Sequence, residues 1–371
     1  MTTNPFAHLV NLAADGQVLF ATDDFFQPAE SLLHTTEPVW DADKFTPFGK
    51  WMDGWETRRK RTEGHDWGIV KLGLSGEIEG VHIDTAFFTG NQVPRISLQA
   101  ACLEEDLPLV RRSEIGTCAT DQELKAAGAV GSEKWDTILS MTPLKPGYPE
   151  TRHHYFPINK ACLGKRYTHL RINYFPDGGV ARLRVYGTVS KDWSTVSPVQ
   201  QFDLVALENG GIPVSFTNSH YGTPQNMLMK RESAGMYDGW ETARNPNRPP
   251  IFKKDAEGLL VIPGSEHVVI KLGHIAIPEK VVIDTSHFKG NFPESVLVES
   301  CVLTQGQRLN DAKWHVLVKR VKCQPNLKHE FGVVGGGSGI THVRLTVFPD
   351  GGIARFRVFG TLGETKVSSK L

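Results

Sequence analysis

The sequence predicts an all-β protein made of two tandem β-sandwiches that arose by internal duplication. Three observations support this prediction. The chain has 371 residues, more than one hydrophobic core usually organises. Its motifs occur twice in the same order, and its apolar residues alternate with polar ones as they do in strands. The repeats predict a first domain over residues 1–195 and a second over residues 196–371.

Several motifs occur once in each half of the chain. DGWET, KLG and IDT are each found twice, and each IDT is followed by a Gly-Asn pair. The longest match pairs THLRINYFPDGGVARLRVYGT, from Thr168, with THVRLTVFPDGGIARFRVFGT, from Thr341, and 14 of the 21 positions are identical. Ordered matches of this length indicate that a whole domain was duplicated.

The repeated segments have the composition of β-strands. GIVKLGL, GVHIDTAFF, LRINYF and ARLRVYGTV alternate apolar and polar residues or are rich in β-branched and aromatic ones. In the last segment, Ala181, Leu183 and Val185 are expected on one face, and Arg182, Arg184 and Tyr186 on the other. Each FPDGG favours a tight turn between paired strands. The order of the Asp-Gly motif and the following strands resembles the galactose-binding-like jelly roll.

The first copy carries additional segments. An N-terminal arm precedes its repeated motifs, and an insertion separates its IDT and PDGG motifs. In this insertion Thr120 and Glu123 form a Thr-x-x-Glu capping box, which predicts a short surface helix in TDQELKAAGA. One short helix leaves the all-β class unchanged.

The composition argues against several classes of protein. Lys plus Arg and Asp plus Glu both total 41, so nothing indicates a nucleic-acid or anionic-membrane binder. The first residues do not have the pattern of a secretory signal, and no apolar run approaches the roughly 20 residues needed to cross a bilayer. The five cysteines lack CxxC spacing, which favours reduced thiols in a cytoplasmic protein.

DGWETRR and DGWETAR place two acids and an arginine within seven residues of each copy. A guanidinium can hold a carboxylate through two hydrogen bonds, so Arg59 and Arg244 are candidates for binding a small acid. Glu56 and Glu241 are candidates for the general acid or base. The alternative is structural, with Asp-Gly serving as a turn and the tryptophan as part of the core.

The IDT motifs provide further candidates. Asp84 and Asp284 lie near the end of an apolar strand, where a carboxylate needs a partner, either a structural arginine or a site. Both are candidate catalytic residues. Asn91 and Asn291 follow a glycine and are candidates for recognising an amide-bearing substrate, or are turn residues.

The two copies differ at several histidines. His82 aligns with Val282, His287 aligns with Phe87, and His220 has no histidine counterpart in the first copy. Such asymmetry is expected if only one copy retains an active site. His287 is therefore a candidate catalytic residue, and His82 and His220 are candidate binding residues. Each of them also fits an ordinary surface histidine.

The sequence contains no recognisable metal-binding motif. HExxH is absent, and so are the clustered Asp and His motifs of binuclear-metal ureohydrolases. His153 and His154 are adjacent, and neighbouring residues on a strand point to opposite faces. A metal site at this histidine pair is therefore not predicted, and the metal ligands stay unknown.

Taken together, GKWMDGWETRR, GVHIDTAFFTGN, YDGWETAR, VIDTSHFKGN and the two FPDGG-x-ARxRVxG segments resemble the allantoicase family. The match runs from the first copy nearly to the C-terminus. The resemblance implies hydrolysis of allantoate to ureidoglycolate and urea in purine degradation, by a homo-oligomer. It also makes manganese, which is associated with some members, a candidate cofactor.

Two alternatives stay open at this point. A tandem carbohydrate-binding module would use the same jelly roll, although the repeated acids and arginines suit a small anion better than a sugar. An enzyme that acts on ureidoglycolate would share the same motifs. Urea release from allantoate separates these alternatives.

Overall fold

Both halves of the chain form the same β-sandwich, so the predicted all-β class and the duplication are confirmed. The computed structural model describes residues 3–363 apart from Gln305, Gly336 and Ser338. It separates into two units, residues 1–190 and 191–371. The strands of the first unit are β1 Val10–Asn11, β2 Gln17–Ala21, β3 Phe45–Thr46, β4 Gly49–Lys50, β5 Trp55–Glu56, β6 Asp66–Asp84, β7 Arg95–Ala101, β8 Asp136–Pro143, β9 His153–Pro157, β10 Arg166–Phe175, β11 Gly179–Val180 and β12 Arg182–Val189.

The second unit repeats this order without a counterpart of the β3–β4 hairpin among its described residues. Its strands are β13 Phe202–Asp203, β14 Ile212–Phe216, β15 Trp240–Glu241, β16 Glu266–Asp284, β17 Ser295–Cys301, β18 His315–Lys322, β19 Lys328–Gly332, β20 Ile340–Phe348, β21 Gly352–Ile353 and β22 Arg355–Leu362. Short 3₁₀ turns span Ala29–Leu33, Ser132–Lys134, Lys160–Cys162, Trp193–Thr195, Leu207–Asn209, Pro224–Leu228, Met236–Asp238 and Leu309–Asp311.

One 19-residue strand, β6, organises the first unit. Its first half, from Asp66, pairs with β2 and β10, and its second half, ending at Asp84, pairs with β12 and β9. The partners change around Gly76, where a Cβ would lie 2.3 Å from the carbonyl oxygen of Thr188. This change divides the strands into two layers, β2-β6-β10-β7-β8 and β1-β12-β6-β9.

Strand β16 has the same role in the second unit. It pairs with β14 and β20 through its first half and with β22 and β19 through its second half. The layers are β14-β16-β20-β17-β18 and β13-β22-β16-β19. Asp84 and Asp284 therefore occupy the same place, the last position of the long strand in each unit.

The predicted helix is confirmed as α1, Asp121–Ala129, in the first unit. The Thr120 hydroxyl accepts from the Glu123 backbone N–H (3.3 Å), and the Glu123 carboxylate accepts from the Thr120 N–H (2.6 Å). This capping box satisfies two of the donors that a helix start leaves free. Among the described residues, no helix is long and apolar enough to cross a membrane.

Both arginines of β12, Arg182 and Arg184, are buried. Arg182 is 1% exposed, and its Nη2 lies 2.7 Å from Asp53 Oδ2. Arg355 and Asp238 form the same pair in the second unit, at 2.8 Å. The aspartate of each DGWET motif is therefore the partner of a buried guanidinium, and the motif helps to hold the fold together.

Candidate active site

The carboxyl end of β6 brings several charged residues of the first unit together. Asp84 is fully buried and lies opposite His153 of β9. Arg152, just before β9, donates from Nε to Asp84 Oδ1 (2.9 Å) and from Nη2 to Oδ2. The Ala86 N–H donates to the same carboxylate (2.9 Å). Burial opposes ionisation of Asp84, but the hydrogen bonds and charge of Arg152 outweigh it and hold the pKa of Asp84 below its ordinary value.

Two histidines extend this cluster. His82 Nε2 lies 3.1 Å from His153 Nδ1, and Arg184 Nη1 lies 3.3 Å from His82 Nδ1. Because a guanidinium can only donate, His82 Nδ1 accepts, and its proton is assigned to Nε2. His82 then donates to His153, which leaves the His153 proton on Nε2. Burial, reinforced by the guanidinium of Arg184, lowers the pKa of His82 to about 3. Burial also lowers the pKa of His153, so both rings are mainly uncharged at neutral pH.

An open pocket of about 400 Å³ lies beside this cluster. Arg152 and His153 supply its charged and titratable wall, and the side chains of Trp40, Phe87, Tyr148 and Pro149 supply much of the rest. Arg152 uses Nε and Nη2 for Asp84 and Glu37, and within the described part of the chain its Nη1 has no hydrogen-bond partner. The pocket therefore presents a fixed guanidinium and a neutral imidazole next to aromatic surface.

The loop that follows β6 is held in an unusual conformation in both units. Phe87 has a φ of +68°, and His287, at the same point of the second unit, has a φ of +71°. Bulky residues rarely adopt this region. The Phe87 N–H is held by the Gly147 carbonyl (3.1 Å), and the His287 N–H by Asn326 Oδ1 (2.8 Å). The conformation places Phe87 in the pocket wall of the first unit.

The second unit keeps the framework of this site but has different side chains at its key positions. Thr85 donates to the Arg152 carbonyl and Thr285 to the Leu327 carbonyl, both at 3.0 Å, so Leu327 takes the place of Arg152. By the same register Lys328 replaces His153, Val282 replaces His82 and Glu330 replaces Tyr155. Asp284 is buried and forms no ion pair with any described residue. The predicted asymmetry between the copies is therefore present at this site.

A second pair of predicted residues meets in both units. Asn91 Nδ2 donates to Glu56 Oε1 (2.7 Å), and Asn291 Nδ2 donates to Glu241 Oε1 (2.6 Å). Glu56 is 8% exposed, and burial raises its pKa to about 7, although the hydrogen bond from Asn91 opposes the rise. Because both copies retain this bond, its common role is to anchor the loop that follows the IDT motif to the DGWET motif.

Glu56→Gln is expected to change the pH dependence of stability. An ordinary glutamate in the unfolded chain ionises near pH 4.5, so a pKa of about 7 in the folded state makes folding less favourable as pH rises from about 4.5 to 7. The glutamine keeps the Asn91 bond without this penalty. The penalty grows by about 2.5 kcal/mol from pH 5 to pH 8, so the difference in Tm between variant and parent should grow by roughly 5–10 °C over this range. Glu150→Gln, at an exposed position, controls for the lost charge, and parallel Tm curves would contradict the expectation.

Other predicted residues lie outside the Arg152 pocket. Arg59 and Arg244 are exposed, and neither forms an ion pair with a residue that the structure describes. His287 Nε2 lies 2.9 Å from the Ser233 carbonyl oxygen. His220 is exposed, and its ring packs edge-on against Tyr221. Their catalytic or binding roles stay predictions.

Sequence reasoning did not single out Arg152 and treated His153 only as half of a weak histidine pair. His154 does point to the opposite face, where its ring contacts the Ile83 carbonyl (3.2 Å) and the Lys145 N–H (2.9 Å). The partners of His153 come from β6, which the sequence cannot bring beside β9. Arg152 and His153 could have been found by comparing the two copies at this register, because the second unit has Leu327 and Lys328 at these positions.

Comparison with known proteins places this architecture in one family. A model of the allantoicase repeat matches residues 7–190 and 202–363. A probable allantoicase from Pseudomonas syringae pv. tomato is 40% identical over 364 residues, which cover 96% of this chain and 97% of that protein. A probable allantoicase from Pseudomonas aeruginosa is 38% identical over 369 residues, with the same coverage.

Solved structures agree with the sequence comparison. The crystal structure of allantoicase from Saccharomyces cerevisiae is similar to this chain with a TM-score of 0.69 and 31% identity, covering 95% of this chain and 92% of that one. A further allantoicase structure has a TM-score of 0.68 and 32% identity, covering 95% and 93%. Repeat matches in both halves and similarity along almost the whole length lead to one conclusion: the chain belongs to the allantoicase family.

Proposed function

We propose that this chain hydrolyses allantoate to ureidoglycolate and urea, a step of purine degradation, and that the first unit carries the active site. Similarity to proteins named allantoicase along 96% of the chain supports the reaction. One observation supports the placement: the pocket of the first unit joins an arginine that has an unused nitrogen to an uncharged histidine, and the second unit has Leu327 and Lys328 there.

The substrate explains why such a pair is useful. Allantoate has a carbon that bears a carboxylate and two ureido groups. Urea leaves when a proton reaches the departing nitrogen and the lone pair of the remaining ureido nitrogen stabilises the carbon as the C–N bond breaks. Water then adds to this carbon and loses a proton to a base. The route needs a carboxylate clamp and a proton-transfer group, and it needs no covalent nucleophile.

Arg152 is the clamp in this proposal. Asp84 holds two of its nitrogens, so the guanidinium plane is fixed and Nη1 is left for the substrate carboxylate. Asp84 is fully buried and acts as a positioning residue. His153, which lines the same pocket, donates a proton to the departing nitrogen when its ring is protonated, and the neutral ring that remains takes a proton from the attacking water. His82 sets its tautomer through the 3.1 Å contact.

The family resemblance makes manganese a candidate cofactor, and the cluster of His82, Asp84 and His153 is the place among the described residues where it would have to bind. His82, Asp84 and His153 each offer a ligand atom, and these atoms lie within 4.8 Å of one another. Two imidazoles and a carboxylate suit several divalent metals. Arg152, however, holds both Asp84 oxygens, and Arg184 holds His82 Nδ1. A dication would lie against two guanidinium charges, so these residues do not fit the metal, and no step is assigned to one.

Urea release is the direct test. The purified chain given allantoate should release one urea per ureidoglycolate formed, and dialysis against EDTA should leave kcat/KM unchanged because no step uses a metal. Ureidoglycolate offered as the substrate is the control for the alternative activity. Absence of urea release from allantoate, with release from ureidoglycolate, would overturn the proposed reaction. A loss of activity restored by Mn²⁺ would overturn the metal-free assignment.

The cellular setting follows the same family reasoning. We propose a cytoplasmic homo-oligomer, and the five cysteines, each free of a disulfide in the structure, are compatible with reduced thiols. Light scattering of the purified chain measures the oligomer directly.

A further inference from the structure

The second unit contains an open cavity of about 370 Å³ that the proposed reaction does not use. It lies where the end of β18 meets the loop between β16 and β17. Its wall includes Arg248, Lys254, Lys322 and Glu294, together with the amide of Asn291. Leu260, Phe292 and Pro349 supply apolar surface.

Two of the charged groups on this wall are already neutralised. Arg248 Nη2 lies 2.6 Å from Asp350 Oδ1, and Glu294 Oε2 lies 3.4 Å from Arg320 Nη2. Lys254 and Lys322 form no ion pair with a described residue. The cavity therefore carries an excess of two positive charges, and a concave wall concentrates such a field on a ligand.

Two of these charged residues have uncharged counterparts in the first unit. Lys322 lies opposite Ser295 at the end of the β17–β18 pair, and Pro143 lies opposite Arg95 at the end of the β7–β8 pair. A proline in the first copy shows that the sandwich does not require a lysine here. Glu294, next to Ser295, has Pro94 as its counterpart, next to Arg95. The framework therefore requires neither Lys322 nor Glu294, and the first copy instead carries Arg95 at the position of Ser295.

The side-chain amide of Asn291 on the cavity wall provides a second group that can recognise a ligand. Asn291 donates Nδ2 to Glu241 Oε1 (2.6 Å), and its Oδ1 has no hydrogen-bond partner among the residues described. An amide oxygen of this kind accepts from an N–H donor of a ligand. The cavity thus combines two lysines that are unpaired in the described part of the chain, an amide acceptor and apolar side chains. This combination suits a small carboxylate that also carries a carbamoyl group.

We propose that this cavity of the second unit is a second binding site for a small ureido carboxylate, separate from the Arg152 pocket. Lys254 and Lys322 hold the carboxylate, and Asn291 accepts from the ureido N–H. The choice of a ureido acid rests on the proposed function, because substrate and product both belong to this class. The site itself rests on the cavity, its charge and the replacement of Lys322 and Glu294 by prolines in the first copy.

Binding stoichiometry tests the proposal. N-carbamoylglycine has the carboxylate and one ureido group but lacks the second ureido group on the same carbon, so it should bind without turnover. Calorimetric titration of the full chain is expected to give two sites per chain. Lys254→Gln with Lys322→Gln should weaken one site at least tenfold and leave kcat for allantoate unchanged. Both lysines are exposed, so the double variant should keep the Tm of the parent.

A matched variant separates the two sites. Arg152→Lys should weaken the other site and leave the lysine-dependent one intact. One site per chain, or two sites that the lysine variant does not change, would overturn the second site. Failure of the chain to release urea from allantoate would overturn the proposed function alone, since the titration reads binding in the absence of reaction. N-methylurea, which lacks the carboxylate, should show no binding to the cavity.

Discussion

Arg152→Lys should lower kcat/KM for allantoate about 100- to 1,000-fold, mainly by raising KM. Lysine keeps a positive charge near Asp84 but cannot hold Asp84 and a substrate carboxylate with one planar fork. Losing a charged contact of this kind costs about 3–4 kcal/mol, and each tenfold change in rate corresponds to 1.36 kcal/mol. A change in KM with little change in kcat is the signature of a lost binding contact.

Stability has to be separated from binding in this experiment. Arg152→Leu introduces the residue that the second unit has at this position, but it leaves the buried Asp84 carboxylate without its ion-pair partner. The double variant Arg152→Leu with Asp84→Asn removes both charges and therefore tests binding with a smaller loss of stability. Arg59→Ala and Arg244→Ala test the arginines that the sequence favoured. If either of them raises KM as much as Arg152→Lys does, the clamp has been assigned to the wrong residue.

His153→Asn should lower kcat about 100- to 10,000-fold and leave KM within a few-fold, since loss of general acid–base catalysis affects the chemical step. The pH dependence provides an independent readout. Burial lowers the pKa of His153 below its ordinary value, so only a minor fraction of the parent carries the proton that the departing nitrogen needs at neutral pH. We expect kcat to rise as the pH falls towards that pKa and to decline as the pH increases, and the residual activity of the variant should lack this dependence.

A variant in the second unit is the matched control. Lys328 occupies the His153 position there, and Lys328→Ala should leave both kcat and its pH profile unchanged. A loss of more than tenfold in this control would show that the second unit takes part in the reaction.

Much of the fold could be predicted from the sequence because the duplication gives two independent readings of each strand. The strand segments and the capping box at Thr120 follow from local patterns and from motifs that recur. Glu56 and Asn91 were separate candidates, and the hydrogen bond between them was not predicted. The burial of the arginine face of β12 could not be predicted from alternation alone. Alternation assigns polar residues to solvent, and only the long-range pairing of Arg182 with Asp53 reverses that assignment.

The candidate site was predicted only in part for a related reason. Asp84 and His82 stand in a repeated motif, so their position in the chain drew attention to them. Arg152 and His153 lie outside every repeated motif and reach the site because β9 pairs with the second half of β6. A pairing between segments about 70 residues apart is set by topology, which local sequence patterns do not report.

The pairs Arg182–Asp53 and Arg355–Asp238 also bear on how the two copies could diverge. Removing one member of a buried ion pair leaves an unpaired charge and costs about 3–5 kcal/mol, whereas replacing both members together can be nearly neutral. Replacing such a pair one residue at a time therefore passes through an unstable protein. This cost explains why both copies still contain the pair. The position of Lys328, whose counterpart His153 is not a member of such a pair, had no comparable barrier, so the copies could diverge there while the scaffold persisted.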